Sequence, residues 1–323
     1  MPLVVSRKER LIMKKNTDIP AHYYNEAADN VQHAHGKPLL AIDPHFPFTL
    51  TKFEFMTSLS QADYAHRHDY YEVLLISEGE GTHVIDFEPY PVQPPVFHFL
   101  SKGQIHFWQL NKPLKGYVLI FPDEFLGFPT SDVLRIHDFT FFHHVGHAPY
   151  LPVSQDEFTM MNALIEGIEQ EFDDENKRSI TVLRSYLHIL LTNLNRLYRV
   201  NRPDGEATET STLVREFQQL VSEHFLTEHS VQDYADRIGI STSHLRDTVK
   251  EITGYPPGHF IRQKLILEAK RILAHSNETV AEVGYHLNFE DSSYFGRFFK
   301  RETGMSPVAF RRQIRDQYRI AQE

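Results

Sequence analysis

The amino-acid sequence predicts an α+β protein of two domains: an N-terminal β jelly roll with flanking α-helices, then an all-α domain built on two helix-turn-helix units. Three observations predict it. From about Phe48 to Phe142, short apolar and aromatic runs such as FEFMTSL, YEVLLIS and GYVLIFP are broken by Gly, Pro, Asp and Asn, with no helical period of useful length. Between Gln155 and Val200 apolar residues recur every three or four positions instead. From Ser230 to Gly304 one plan occurs twice: a capped short helix, a turn, and a second capped helix stopped by glycine.

A chain of 323 residues with 41% hydrophobic and 24% charged residues is long enough for two cores and ordinary for a soluble protein. It has no Cys, which excludes disulfides and thiolate chemistry and fits a reducing compartment. The net charge is -10, yet Lys plus Arg balance Asp plus Glu from Ser211 to Glu323, so the acidic excess lies upstream. The start, MPLVVSRKERLIMKK, carries charge without an apolar run of signal-peptide length, Met13 is an alternative start, and no later segment is apolar enough to span a membrane. These features predict a cytoplasmic protein.

In chain order, residues 1–45 read as an N-terminal arm and 46–150 as the barrel, with turns expected at Glu78 to Gly81, at Glu88 to Pro91 and near Lys102 and Gly103. Residues 151–200 read as a helical segment that covers the barrel or pairs with a second subunit. Ser154 caps Gln155 to Phe172, which carries Phe158, Met161, Leu164, Ile165 and Ile168 on one side, and Asp173 to Lys177 breaks it. Ser179 to Val200 follows with Leu183, Leu187, Leu190, Leu191, Leu194 and Leu197, and this Leu side is the expected dimer contact. Residues 201–210, NRPDGEATET, have linker composition, and 211–323 form the last domain.

In the first helix-turn-helix, Ser230 and Asp233 cap Val231 to Ile238, Gly239 makes the turn, and Ser241 caps Thr242 to Thr253, which Gly254 stops. In the second, Thr279 and Glu282 form a capping box for a helix ending near Leu287. Asn288 stands at the turn, and Asp291 caps Ser292 to Thr303, closed by Gly304. Between them a helix of roughly Gly258 to Ala274 acts as a spacer. At about 1.5 Å per residue it separates two reading helices by something near one turn of DNA, about 34 Å.

The run from Val231 to Gln313 resembles the AraC/XylS family of bacterial transcription regulators over its whole DNA-binding domain, most closely in NFEDSSYFGRFFKRETGMSPVAFRR, Asn288 to Arg312. Asn288 stands where the family usually has Gly, and Val249 where it usually has Phe. The resemblance implies a groove face of Ser243, Arg246 and Asp247 on the first recognition helix and of Ser292, Ser293 and Arg297 on the second. Arg grips the two acceptors of a guanine edge, Ser donates or accepts, and Asp accepts only. Lys300, Arg301, Arg311 and Arg312 are expected at phosphates.

The barrel holds His66-x-His68-x-x-x-Glu72-x6-Gly79, followed by Gly103-x-x-His106, which looks like the two cupin motifs. Sensor domains of the resembled family keep such groups as the polar lining of an effector pocket. His66, His68, Glu72, His106 and Trp108 are assigned to that lining, with no metal or other cofactor. Tyr64, Tyr70 and Phe99 are further candidates to stack on an effector. The alternative is a metal-dependent cupin enzyme with a DNA-binding tail, in which His66, His68, Glu72 and His106 hold a divalent ion. His137, His143, His144 and His147 cluster without ligand spacing and read as surface loop. The expectation is a ligand-responsive, sequence-specific DNA-binding regulator, an activator and not an enzyme. Its expected partners are promoter DNA, a small-molecule effector, RNA polymerase and a second copy of itself.

Overall fold

A computed structural model describes residues 19, 21–22, 47–55, 65–126, 136, 139–142, 148–174, 177–200 and 209–320. The strands are β1 (Ala21–His22), β2 (Thr49–Lys52), β3 (Arg67–His68), β4 (Tyr71–Ile85), β5 (Glu88–Val92), β6 (Val96–Leu100), β7 (His106–Phe121) and β8 (Tyr150–Pro152). The helices are α1 (Asp123–Leu126), α2 (Gln155–Asp173), α3 (Ile180–Val200), α4 (Glu209–His224), α5 (Val231–Ile238), α6 (Thr242–Thr253), α7 (Pro257–His275), α8 (Val280–His286), α9 (Ser292–Thr303) and α10 (Pro307–Ile320). By contacts the chain divides inside α7 into two compact units, Ala21–Leu265 and a second that contains Ile266–Glu323.

The first unit contains an antiparallel six-stranded sheet in the order β2-β7-β4-β6-β8, with β5 paired to β4. Alternate residues of a strand point to opposite faces, and here both faces are covered, which is why YEVLLI reads as an unbroken apolar run. Val73, Leu75, Phe97, Phe99, Leu119 and Phe121 pack in one core with α2 and α3. Leu74, Ile76, Val96, Leu100, Val118 and Ile120 pack in another, inside the barrel.

Two expected turns are corrected. Glu78 to Gly81 does not end a strand: β4 runs through it, and its pairing with β7 shifts register between Ile76 and Gly81. Gly79, at φ +127°, lets the strands approach closely, since a Cβ there would meet the Pro113 carbonyl at 2.9 Å, and one on Gly81 would press on the Gln109 carbonyl. Glu88 to Pro91 lies in β5, whose Pro residues fit a short outer strand. The turn before it is Asp86–Phe87, both residues at positive φ (48° and 74°), the backbone a two-residue hairpin demands. The turn at Lys102 and Gly103 is present, with Gly103 at φ 74°.

The helices α2 and α3 form where periodicity placed them, and the Ser154–Glu157 capping box opens α2. The Leu side of α3 is corrected as a dimer contact. Leu183, Leu187, Leu190, Leu191 and Leu194 are fully buried in the chain's own core beside Met161, Ile165 and the sheet aromatics. The large apolar residues these two helices leave exposed are Met160, Val182, Ile189 and Val200. Of the expected linker, 201–208 lie outside the described residues, as does most of the N-terminal arm, while Glu209 and Thr210 already begin α4. The sequence reading missed α4, although Val214, Phe217 and Val221 mark its buried face, and Phe217 packs edge-on to Tyr234 and Phe260.

Both helix-turn-helix units take the expected bounds. α5 and α8 open with complete capping boxes, and α6 and α9 close on Gly254 and Gly304 at φ 77° and 81°. Asn288 makes its turn at φ 60°, a conformation its short polar side chain tolerates.

Candidate functional site

The recognition helices present two outward faces. On α6, Leu245, Thr248 and Val249 point inward, leaving Ser243, His244, Arg246, Asp247 and Lys250 exposed. The Ser243 hydroxyl donates to Asp247 across one turn at 3.4 Å, which biases the carboxylate toward its own helix. On α9, Phe295, Phe298 and Phe299 point inward, and Ser293, Tyr294, Arg297, Lys300 and Arg301 are exposed, with Ser292 half-buried. The Asp291 side chain accepts from the Ser293 amide at 2.7 Å, and its other oxygen lies 3.8 Å from the Arg297 guanidinium. Both groups of that pair are exposed, so water and salt weaken it and Arg297 stays available.

The basic residues divide by task. Arg311 is turned inward, its Nε donating to the Leu273 carbonyl at 3.1 Å, and Arg315 donates to the Ser276 carbonyl at 2.9 Å. Arg311 occupies a carbonyl of the last turn of α7 and Arg315 the one just past its end, so the expectation of Arg311 at a phosphate is corrected to a helix-end contact. Arg312 is exposed beside Asp316 at 3.9 Å, and Arg301 lies over the Phe298 ring. Sequence reasoning omitted His244, Lys250 and Tyr294, although their places in the helical period put them outside.

The barrel interior holds a second constellation. Glu72 on β4, His98 on β6, and His106 and Trp108 on β7 point inward, and β3 contributes His68. His83 joins them because of the register shift, which turns the odd-numbered residues of β4 inward beyond Gly81, as it does Ile85. All are buried, Glu72 being the most exposed at 6%. The His68 Nδ1 donates to the Tyr70 carbonyl at 2.8 Å. His83 bridges two rings, its Nε2 lying 3.0 Å from His106 Nδ1 and its Nδ1 3.1 Å from His98 Nδ1, and it stacks on Trp108 at 3.6 Å.

Burial pushes the Glu72 carboxyl up to about 8. It pushes His98 down to about 3 against the backbone of Pro91, which favours its proton, and lowers His83, with His98, His66 and His68 adding to that effect. Burial thus favours the uncharged form of all three side chains. One ligand atom from each of His68, Glu72 and His106 lies within 4.8 Å of the others. His66 is outside that group: its backbone pairs with His106 in both directions, and its ring packs on the His106 ring at 4.1 Å. Among the described residues, the four-residue ligand set of the metal-dependent alternative is therefore reduced to three. Tyr64, His137, His143, His144 and His147 lie outside the described residues.

A family model described as an AraC-like ligand binding domain matches residues 58–181, and one described as a helix-turn-helix domain matches residues 234–313; together they span more than half of the chain. Among curated relatives, the HTH-type transcriptional activator RhaS of Escherichia coli O157:H7 is 25% identical over 276 residues, covering 84% of this chain and 91% of its own length. RhaS of Salmonella schwarzengrund gives the same identity and coverage. Among solved structures, unsaturated-fatty-acid-bound ToxT from Vibrio cholerae has TM-score 0.38 and 14% identity, over 82% of this chain and 95% of that one. Among the described residues no helix is long and apolar enough to cross a membrane.

Proposed function

The chain belongs to the AraC/XylS family of transcription regulators, as a ligand-responsive DNA-binding protein, and we propose that α6 and α9 each enter one of two successive major grooves of a promoter. The observation that carries this reading is the repeated helix face: two capped helices with the same inward positions and with Ser, Arg and Lys outward. Arg297 and Arg246 read guanine, Ser243 and Ser293 adapt to several bases, and Asp247 accepts from a cytosine amino group. Ser292 belongs with Ser293 on the groove face, and Lys300, Arg301 and Arg312 hold phosphates.

An effector in the barrel, lined by His68, Glu72, His106 and neighbouring aromatics, favours one of two states of the protein, and its unequal affinity for them sets promoter occupancy. The protein works in the cytoplasm as a homodimer. Its subunit contact uses Val182 and Ile189, two turns apart on the exposed side of α3. Like the activators it resembles, it raises transcription through RNA polymerase.

A genome-wide binding map of the wild type beside Arg297→Ala tests the reading. Discrete peaks that weaken in the variant are expected; a wild type with no peaks above background removes it and reopens the enzyme alternative.

A further inference from the structure

We propose that Gly296, in the middle of recognition helix α9, is a specificity-determining DNA contact: its bare backbone admits a thymine 5-methyl group that a side chain there would hold off. Glycine is among the poorest helix formers because it gives up the most backbone freedom on folding. A glycine inside a helix therefore stays only where something offsets that cost.

Elsewhere in the chain the reason is visible. The described glycines of turns, bulges and helix ends have positive φ, a conformation that side chains resist. Inside helices, a Cβ on Gly167 would meet the Tyr186 ring at 2.9 Å, one on Gly258 the Arg262 guanidinium at 3.2 Å, and one on Gly284 the Phe295 side chain at 3.2 Å. Among the described residues, Gly296 is the one glycine with neither reason: its φ is not positive, and a Cβ there would meet no atom within 4 Å. Nothing in the chain requires it, so the requirement comes from what α9 binds.

The surroundings of Gly296 say what that is. Ser293 lies one turn before it and Lys300 one turn after it, both exposed, so the half-exposed glycine sits between a residue of the groove face and one assigned to phosphate. Its amide is used inside the helix, which leaves room and a Cα–H surface as all that it offers a ligand. The matching apolar group in a major groove is the C5-methyl of thymine. Counted from the caps Ser241 and Asp291, the corresponding residue of α6 is Arg246, whose long side chain takes up such room. The methyl contact therefore belongs to the half-site of α9.

This contact rests on the groove reading of α9 and fails separately from it. The probe is a duplex that the full chain selects from random-sequence DNA, titrated by fluorescence anisotropy, and the half-site of α9 is the one where Arg297→Ala relaxes the selection. Gly296→Ala should raise the urea midpoint, because alanine is the better helix former and its methyl meets open space. The same variant should bind the selected duplex about 10-fold more weakly, the scale of one mismatched base pair. Each thymine of the half-site is then replaced in turn by deoxyuridine, which lacks only the methyl. At one position the wild type should prefer thymine and Gly296→Ala should prefer deoxyuridine, as expected where one methyl takes the place of the other. A lowered urea midpoint shows that the fold itself needs the glycine and overturns the contact. Undiminished binding by Gly296→Ala overturns it too, as does a half-site without thymine or a loss that no deoxyuridine reverses. A chain that selects no duplex at all removes the groove reading and the contact together.

Discussion

Ser241 and Asp291 stand at corresponding places in the two helix-turn-helix units, as do Gly254 and Gly304, Thr253 and Thr303, and Lys250 and Lys300. Thr253 and Thr303 each donate back to a carbonyl one turn earlier, Val249 and Phe299, at 2.6 and 2.8 Å. The backbone plan is shared down to these bonds, while the side chains on it are not. α6 packs inward through Leu245, Thr248 and Val249; α9 uses Phe295, Phe298 and Phe299, which meet Phe289 and Phe310. Outward, α6 sets Asp247 beside Arg246, where α9 has Arg297 beside Gly296. The difference teaches that caps and stops specify where a recognition helix lies, and leave its stability and its reading free to diverge.

The packing half of this comparison carries the largest expected effect. Phe299→Ala should destabilise the second unit by about 3–5 kcal/mol, the usual cost of removing a buried phenyl ring. Val249→Ala should cost the first unit about 2 kcal/mol, at about 0.8 kcal/mol per methyl group lost with a small cavity added. Both are read by hydrogen exchange of the amides of each unit in the full chain. Equal losses would break the claim that the aromatic unit is the better packed.

Arg297→Ala should weaken binding to a cognate promoter by about 1–3 kcal/mol and relax the preference at one base pair. Arg246→Ala should lose less, because Asp247 beside it offsets part of its charge near phosphates. Titrations by fluorescence anisotropy at several salt concentrations check the order. A larger loss from Arg246→Ala would show that α6 is the dominant reader.

The sequence announced most of the helical part because its signals are local. A cap, a capping box or a glycine stop is complete within five residues, so Ser230 with Asp233, Thr279 with Glu282, and Gly254 and Gly304 could be read without knowing what packs on them. The barrel was less legible. Gly79 and Gly81 look like a turn, and only their partner strand makes them a bulge, while the true turn at Asp86–Phe87 carries no glycine. The same shift hid His83, whose direction follows from β7 rather than from its own strand. His98 was visible as a lone polar residue inside VFHFL, a place that asks for a buried partner. The Leu stripe of α3 was plain, but periodicity names a buried face without naming what buries it.

The smallest test concerns the turn between the helices of each unit. Gly239 and Asn288 both sit in the left-handed region, at φ 78° and 60°. A Cβ on Gly239 would meet no atom within 4 Å, so Gly239→Ala has no steric clash to confound it and should cost about 1 kcal/mol through backbone strain alone. Asn288→Gly runs the other way. It removes the strain of a side chain at positive φ, yet gives the unfolded chain the extra freedom of glycine, and two terms of about 0.5–1 kcal/mol nearly cancel. Urea unfolding of both variants should therefore shift the first midpoint and leave the second within error. If Asn288→Gly destabilises as much as Gly239→Ala, the amide of Asn288 contributes more than tolerance of the turn, and the two turns are no longer equivalent.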